Sequence, residues 1–152
     1  MLILNCGGTL NKRFNIKTDK MEIFSDNKAL EKILVDKNFN YKIEGICYKE
    51  SLDITVSDKN LLVEKIENSK EKTIIIIHGL TTIRETANFL KTKKFDKKII
   101  ILMGTKQPFE IDKIESSFNL GLIIGYTRTN PKTGIYICLN SEIIKIKKEQ
   151  II

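Results

Sequence analysis

Continuous apolar runs, rather than alternating ones, dominate the pattern of this chain. They fall at 2–6 (LILNC), 43–48 (IEGICY), 73–77 (TIIII), 99–103 (IIILM) and 135–139 (IYICL). Unbroken β-branched runs suit strands covered by helices on both faces. Segments of helical period separate them. "SDNKALEKILVDK" puts Leu30, Ile33 and Leu34 on one stripe behind Ser25 or Asp26 as N-cap. "TVSDKNLLVEKIENS" does the same with Leu61, Leu62 and Ile66 behind Thr55 or Ser57. "LTTIRETANFLK", with Thr81 and Thr82 as candidate caps, and "SSFNLGLIIGYT" complete the set.

Strand and helix therefore alternate along the chain, which predicts an α/β fold. The expected architecture is three layers, a parallel sheet with helices on both faces, Rossmann/flavodoxin-like. "NKRFNIKTDKMEIF" carries a "KTDK" turn signal between two short strands and predicts an early β-hairpin over the sheet. "SEIIKIKKEQII" alternates Ile with Lys and predicts an antiparallel edge strand. No repeat or low-complexity linker interrupts residues 1–152, so a single domain is expected.

Composition narrows the class without changing this outline. Hydrophobic residues make up 41% and charged residues 30%, as in ordinary globular proteins. The apolar runs fall far short of the roughly 20 residues that span a bilayer. "MLILNCGG" has no basic leader and reads as a first strand, so a cytoplasmic protein is expected. The net charge of +7 comes from scattered lysines, and Arg13, Arg84 and Arg128 stand far apart. Nucleic-acid sites interleave arginine with aromatics on one face; the charge here reads as surface solvation and argues against such a partner. Cys6, Cys47 and Cys138 form no CxxC pair and read as reduced, small hydrophobes. Nothing in the pattern calls for a metal or cofactor.

Ligands of open parallel α/β sheets bind beyond the carboxyl ends of the strands. Those ends read "CGGT", "YKESLDIT", "HGLTT", "MGTKQP" and "LNSE". Gly7 and Gly8 permit close backbone approach, and Thr9 offers a hydroxyl as nucleophile or hydrogen-bond donor. Ser51 lies in a strand-to-helix loop, where a helix N-terminus favours a carboxylate. His78 is a general base or a turn-fixing group; Thr81 and Thr82 are caps or ligand contacts.

Taken together these turns resemble the bacterial-type L-asparaginase/glutaminase family, in its amino-terminal domain. "LILNCGGTL" is similar to the family's strand followed by GGTI, and "HGLTTIRETA" to its HGTDT-x-x-ETA. "ESLDIT", "ILMGTKQP" and "IESSFNLG" resemble, in order, its DS-x-(D/N)-M-T, TGA-x-x-P and SDA-x-x-NL segments. Two-domain members are about twice this long, so a small single-domain relative is implied. The resemblance implies hydrolysis of a side-chain amide to carboxylate and ammonia. A GGT threonine attacks with help from a hairpin tyrosine; a second threonine, an aspartate and a lysine move protons; a serine holds the substrate's head group. Carried over, Thr9 is the nucleophile, and Gly8, Ser51 and Thr81 are substrate-binding. The implied partners are a small amide or amino acid and further copies of the chain, as a homo-oligomer.

Several positions depart from that pattern. Leu80 stands where the HGT threonine belongs, and Thr81 where the aspartate follows. Leu52 follows the substrate serine, Glu115 replaces the SDA aspartate, and Met21 or Phe24 falls near the tyrosine position. Lys147 and Lys148 are the candidates for the lysine. Losing general acid–base assistance costs about 10²–10⁴-fold in rate. The sequence therefore predicts an asparaginase-like domain with a degenerate site and weak or no asparaginase activity. The alternative is a catalytically inactive domain that binds a small ligand or a partner.

Overall fold

The computed structural model describes residues 1–35 and 38–147. Leu2–Gly7 forms β1, followed by a short 3₁₀ turn at Thr9–Asn11 and the hairpin β2 (Lys12–Asn15) and β3 (Lys20–Ile23). α1 (Lys28–Leu34) leads to β4 (Lys42–Lys49), and a second 3₁₀ turn, Ser51–Asp53, to α2 (Val56–Asn68). β5 (Thr73–Ile77), α3 (Ile83–Lys91), β6 (Ile99–Met103), α4 (Lys113–Arg128), β7 (Gly134–Leu139) and β8 (Glu142–Lys145) complete the order. The main sheet runs β4-β1-β5-β6-β7-β8. All its pairings are parallel except β7 with β8, the predicted edge strand.

Both faces of the sheet are covered, as the continuous apolar runs require. Ile74 and Ile76 of β5 point to one side, among Leu62 and Ile66 of α2 and Ile83, Ala87 and Leu90 of α3. Ile75 and Ile77 point to the other, among Leu30 and Leu34 of α1 and Leu120 and Ile123 of α4. Alternate residues of one isoleucine run thus feed two separate cores, each side chain removed from water.

Helix starts follow the sequence in part. Thr55 caps α2 in a full capping box with Asp58. At α1 the N-cap position belongs to Asn27, not Ser25 or Asp26; Asp26 still accepts the Lys28 amide at 3.1 Å through its side chain. The last two residues of that predicted helix, 36–37, lie outside the described residues.

A buried carboxamide network fastens the hairpin to the sheet. Asn5, fully buried on β1, donates to Asn11 Oδ1 at 3.2 Å and Asn27 Oδ1 at 3.0 Å. Its own Oδ1 accepts the Gly7 amide at 2.9 Å. Asn11 passes the tie onward to the carbonyls of Phe24 and Asp26, and Tyr48 donates to Asn27 Oδ1. Arg13 completes the strap by pairing with Asp26 and lying over the Phe24 ring. Truncating Asn5 orphans several buried groups at once. Asn5→Ala should lose roughly 2–4 kcal/mol of stability in urea unfolding; a loss under about 0.5 kcal/mol would show that the network contributes little.

Candidate functional site

The strand order reverses at β1. The chain steps from β1 to β4 on one side, then crosses to β5 on the other. Such a switch point leaves a crevice beyond the strand ends, where open α/β sheets bind ligands. Here the crevice is bounded by the turns after β1 and β5.

Three turns meet there with almost no space between them. Gly8 adopts φ 72°, and a Cβ on it would lie 2.6 Å from the Gly79 nitrogen and 2.7 Å from its Cα. A Cβ on Gly79 would lie 2.8 Å from Ser51 Cβ and 3.0 Å from its Oγ. The stack runs Gly8, Gly79, Ser51, and its backbones touch because two of its members lack side chains. Gly8 is tied to β4 by its amide on the Lys49 carbonyl at 3.0 Å. Thr82 Oγ1 donates to the Ser51 carbonyl at 2.7 Å, fixing the α2 and α3 approaches to each other. The Thr82 hydroxyl therefore bridges two turns and does not cap its own helix.

Thr9 follows directly, half-buried, as the first residue of its 3₁₀ turn. Ser51 is buried, with 5% exposure. Thr81 is exposed on the rim of the β5–α3 turn. The structure thus places Gly8 and Ser51 against one glycine, Thr9 beside them and Thr81 outside them. Leu80 is half-buried between: its Cδ2 stands 2.7 Å from where a Gly104 Cβ would be, so it packs on the turn after β6. Leu52 is 74% exposed and points away from the stack's core.

His78 resolves as a structural group. It is 1% exposed. Its Nδ1 lies 2.8 Å from the Gly79 carbonyl, which can only accept, so Nδ1 carries the proton. Nε2 then accepts from Thr86 Oγ1 at 2.9 Å. Both ring nitrogens are engaged inside the fold, which leaves no lone pair for general-base work. Burial pushes the imidazole pKa below its ordinary value, with the nearby Lys59 charge adding to that shift against the bond to Gly79.

Two features escaped sequence reasoning. Glu115, read as a departure from an aspartate, accepts the Lys106 and Gln107 amides at 3.0–3.1 Å and shapes the turn after β6. The signal was available: an acidic residue in a helix's first turn beside a loop of free amides. The Asn5 network had no such signal. Of the tyrosine-position candidates, Met21 is exposed on β3 and Phe24 lies under Arg13. Lys147 is exposed beyond β8, and Lys148 lies outside the described residues. A groove of about 650 Å³ between α1 and α4 has walls including Ile33, Phe39 and Leu120 and reaches the strand-end turns at Phe109. Volume alone does not mark a site. Topology and the convergence of three turns single out the switch point.

A switch-point crevice closed by glycine-rich turns belongs to a three-layer α/β domain. The chain belongs to the asparaginase family: the family model described as "Asparaginase, N-terminal" matches residues 1–149. The fold is similar to the thermostable L-asparaginase from Thermococcus kodakarensis, with a TM-score of 0.80 and 21% identity over 95% of this chain and 45% of that one. It is equally similar to a probable cytoplasmic L-asparaginase from Campylobacter jejuni, with a TM-score of 0.80 and 21% identity over 95% of this chain and 47% of that one. The chain therefore spans about half the length of these solved structures. No curated protein sequence matches it. Among the described residues, no helix is long and apolar enough to cross a membrane.

Three outcomes follow from this geometry. Gly8→Ala combines a positive φ, costing about 1–2 kcal/mol, with a backbone clash, and should destabilise by roughly 2–4 kcal/mol in chemical denaturation. Gly121→Ala on α4, where a Cβ meets nothing, should instead stabilise by about 0.5–1 kcal/mol. His78 has its pKa lowered by folding, so its contribution to stability is complete above about pH 6.5. It declines as pH falls below that value, because the unfolded histidine takes a proton the buried one refuses, and levels off below the folded pKa. The difference in unfolding free energy between wild type and His78→Gln should narrow over that window; a pH-independent difference would contradict the neutral, buried assignment.

Proposed function

We propose that this chain is an asparaginase-like amide-binding domain whose hydrolytic chemistry is weak or lost. One observation carries the reading: Leu80 occupies the inner position of the β5–α3 turn, packed on Gly104, beside an otherwise formed Gly8–Gly79–Ser51 stack. A hydroxyl nucleophile at neutral pH needs a neighbouring base or proton path. On this reading Thr9 is the nucleophile, but Leu80 offers no proton acceptor and Thr81 carries no charge to pair with a substrate ammonium. Ser51 and the approach to α2 suit the carboxylate of an amino acid. Substrate-binding roles for Gly8, Ser51 and Thr81 belong to the same reading, as does assembly with further copies of the chain.

Leu80 also favours a second reading, a domain that binds without turnover. Ammonia release and thermal shift separate the two. Wild type should release ammonia from asparagine or glutamine slowly or not at all. Leu80→Thr combined with Thr81→Asp should raise release by roughly 10–100-fold, part of the general acid–base contribution. Adding Thr9→Ala should abolish that gain. A melting temperature raised by asparagine or aspartate, with no gain in the double variant, would instead support binding alone. Rapid asparagine turnover by the wild type would overturn both.

A further inference from the structure

Forty residues lie between Cys6 and Cys47, yet the sheet brings them together. β1 and β4 pair in simple parallel register from Leu2↔Lys42 to Asn5↔Gly45. The next aligned pair is Gly7↔Lys49, so residues 46–48 of β4 face Cys6 alone. Tyr48, at φ 47°, makes the bend that absorbs the extra residues. Alternation fails there, and Ile46 and Cys47 both turn toward the core face that holds Cys6. Cys47 Sγ lies 3.7 Å from the Cys6 carbonyl. Neighbouring strands run about 4.8 Å apart, inside the roughly 4.4–6.8 Å Cα separation a disulfide spans.

The two thiols are unequal. Cys6 is fully buried and Cys47 half-buried. The hydrogen bond between them pushes the Cys6 thiol up, with burial adding to the shift. The same bond holds Cys47 below the ordinary thiol value, outweighing its own burial and the Asp58 charge, with help from Lys49. One sulfur is thus the more reachable and the more readily ionised of the two, and the other is positioned behind it. Cys138, on β7 and away from both, has its thiol pushed up to about 11 by burial.

We propose that Cys6 and Cys47 form a peroxide-responsive dithiol that closes to an intramolecular disulfide. The Cys47 thiolate attacks hydrogen peroxide: an S–O bond forms, the O–O bond breaks, and the released hydroxide takes a proton to leave as water. The Cys6 sulfur then attacks the Cys47 sulfenic acid. The S–S bond forms, the S–O bond breaks, and the departing hydroxide takes the Cys6 proton as a second water. Two thiols lose two electrons to one peroxide. The product would clamp β4 to β1 immediately before Gly7 and Gly8. This inference stands apart from the amidohydrolase reading.

The test treats the full chain with one equivalent of hydrogen peroxide, alkylates remaining thiols and maps peptides without reduction. A linked Cys6–Cys47 peptide should appear, Cys138 should remain alkylatable, and dithiothreitol should reverse the link. In the untreated native protein Cys47 should alkylate at least about tenfold faster than Cys138. Cys6→Ala should leave Cys47 as a sulfenic acid that dimedone traps. Cys47→Ser, at the more exposed of the two positions, should leave Cys6 as unreactive as Cys138. Three results would overturn the proposal: wild-type Cys47 oxidised to sulfinic acid while Cys6 stays alkylatable, a Cys47–Cys47 link between chains, or no preference for Cys47 over Cys138.

Discussion

Gly8 and Gly79 meet backbone to backbone, and nothing larger than hydrogen fits between them. The contact fixes the separation of the turns after β1 and β5 at the switch point of the sheet. Ser51 then closes against Gly79 from the β4 side, and Thr82 locks Ser51 by its carbonyl. The position of Thr9 follows, because it continues directly from Gly8. Loop placement here is therefore set by steric exclusion more than by hydrogen-bond strength. A glycine pair transmits geometry because each partner leaves the other a single permitted position.

The sheet was readable from sequence because burial on both faces writes itself as continuous isoleucine runs; TIIII at 73–77 could hardly be anything but a central strand. The hairpin was readable from its turn, and the edge strand from its Ile–Lys alternation. The Asn5–Asn11–Asn27 network was not readable. Asparagines separated by 6 and 22 residues carry no periodic signal, and their partnership exists only once β1, the hairpin and the entry to α1 have folded around one point. Cys47 was hidden for a similar reason. Strand alternation predicts which residues share a face, and a bulge overrides it locally. At the site, Gly8 and Ser51 could be placed by sequence. The role of Thr82 as a bridge rather than a cap, and the bond of Thr86 to His78, depended on which loops lay across from them.

The "HGLTTIRETA" segment separates scaffold from chemistry. His78 and Thr86 hydrogen-bond to each other, Gly79 accepts the close approach of two turns, and Ala87 packs into the core. Each of these residues has a complete structural account. Their resemblance to an asparaginase motif therefore speaks for the turn's shape. Leu80 and Thr81, where the sequence departs from that motif, are not constrained by the shape in the same way. Leu80 fills space over Gly104, and Thr81 faces solvent. Substitution at these two positions leaves the hydrogen bonds and close contacts of the turn in place, so the frame does not depend on what stands there.

The same separation explains why restoring chemistry is a stringent test of the frame. Leu80→Thr exchanges buried methyl contacts for a hydroxyl, which needs a hydrogen-bond partner or water to avoid a cost of about 1–3 kcal/mol. Thr81→Asp adds a charge at an exposed rim, where solvation keeps the cost small. The aspartate is thus the easier change to accommodate, and the threonine is the one the packing on Gly104 resists. On the proposed reading, the rigid Gly8–Gly79–Ser51 stack holds Thr9 in place, and the double substitution adds a hydroxyl and a carboxylate without moving it. The gain then depends on whether the new hydroxyl can reach Thr9 from a backbone position that Gly8 and Gly79 have already fixed.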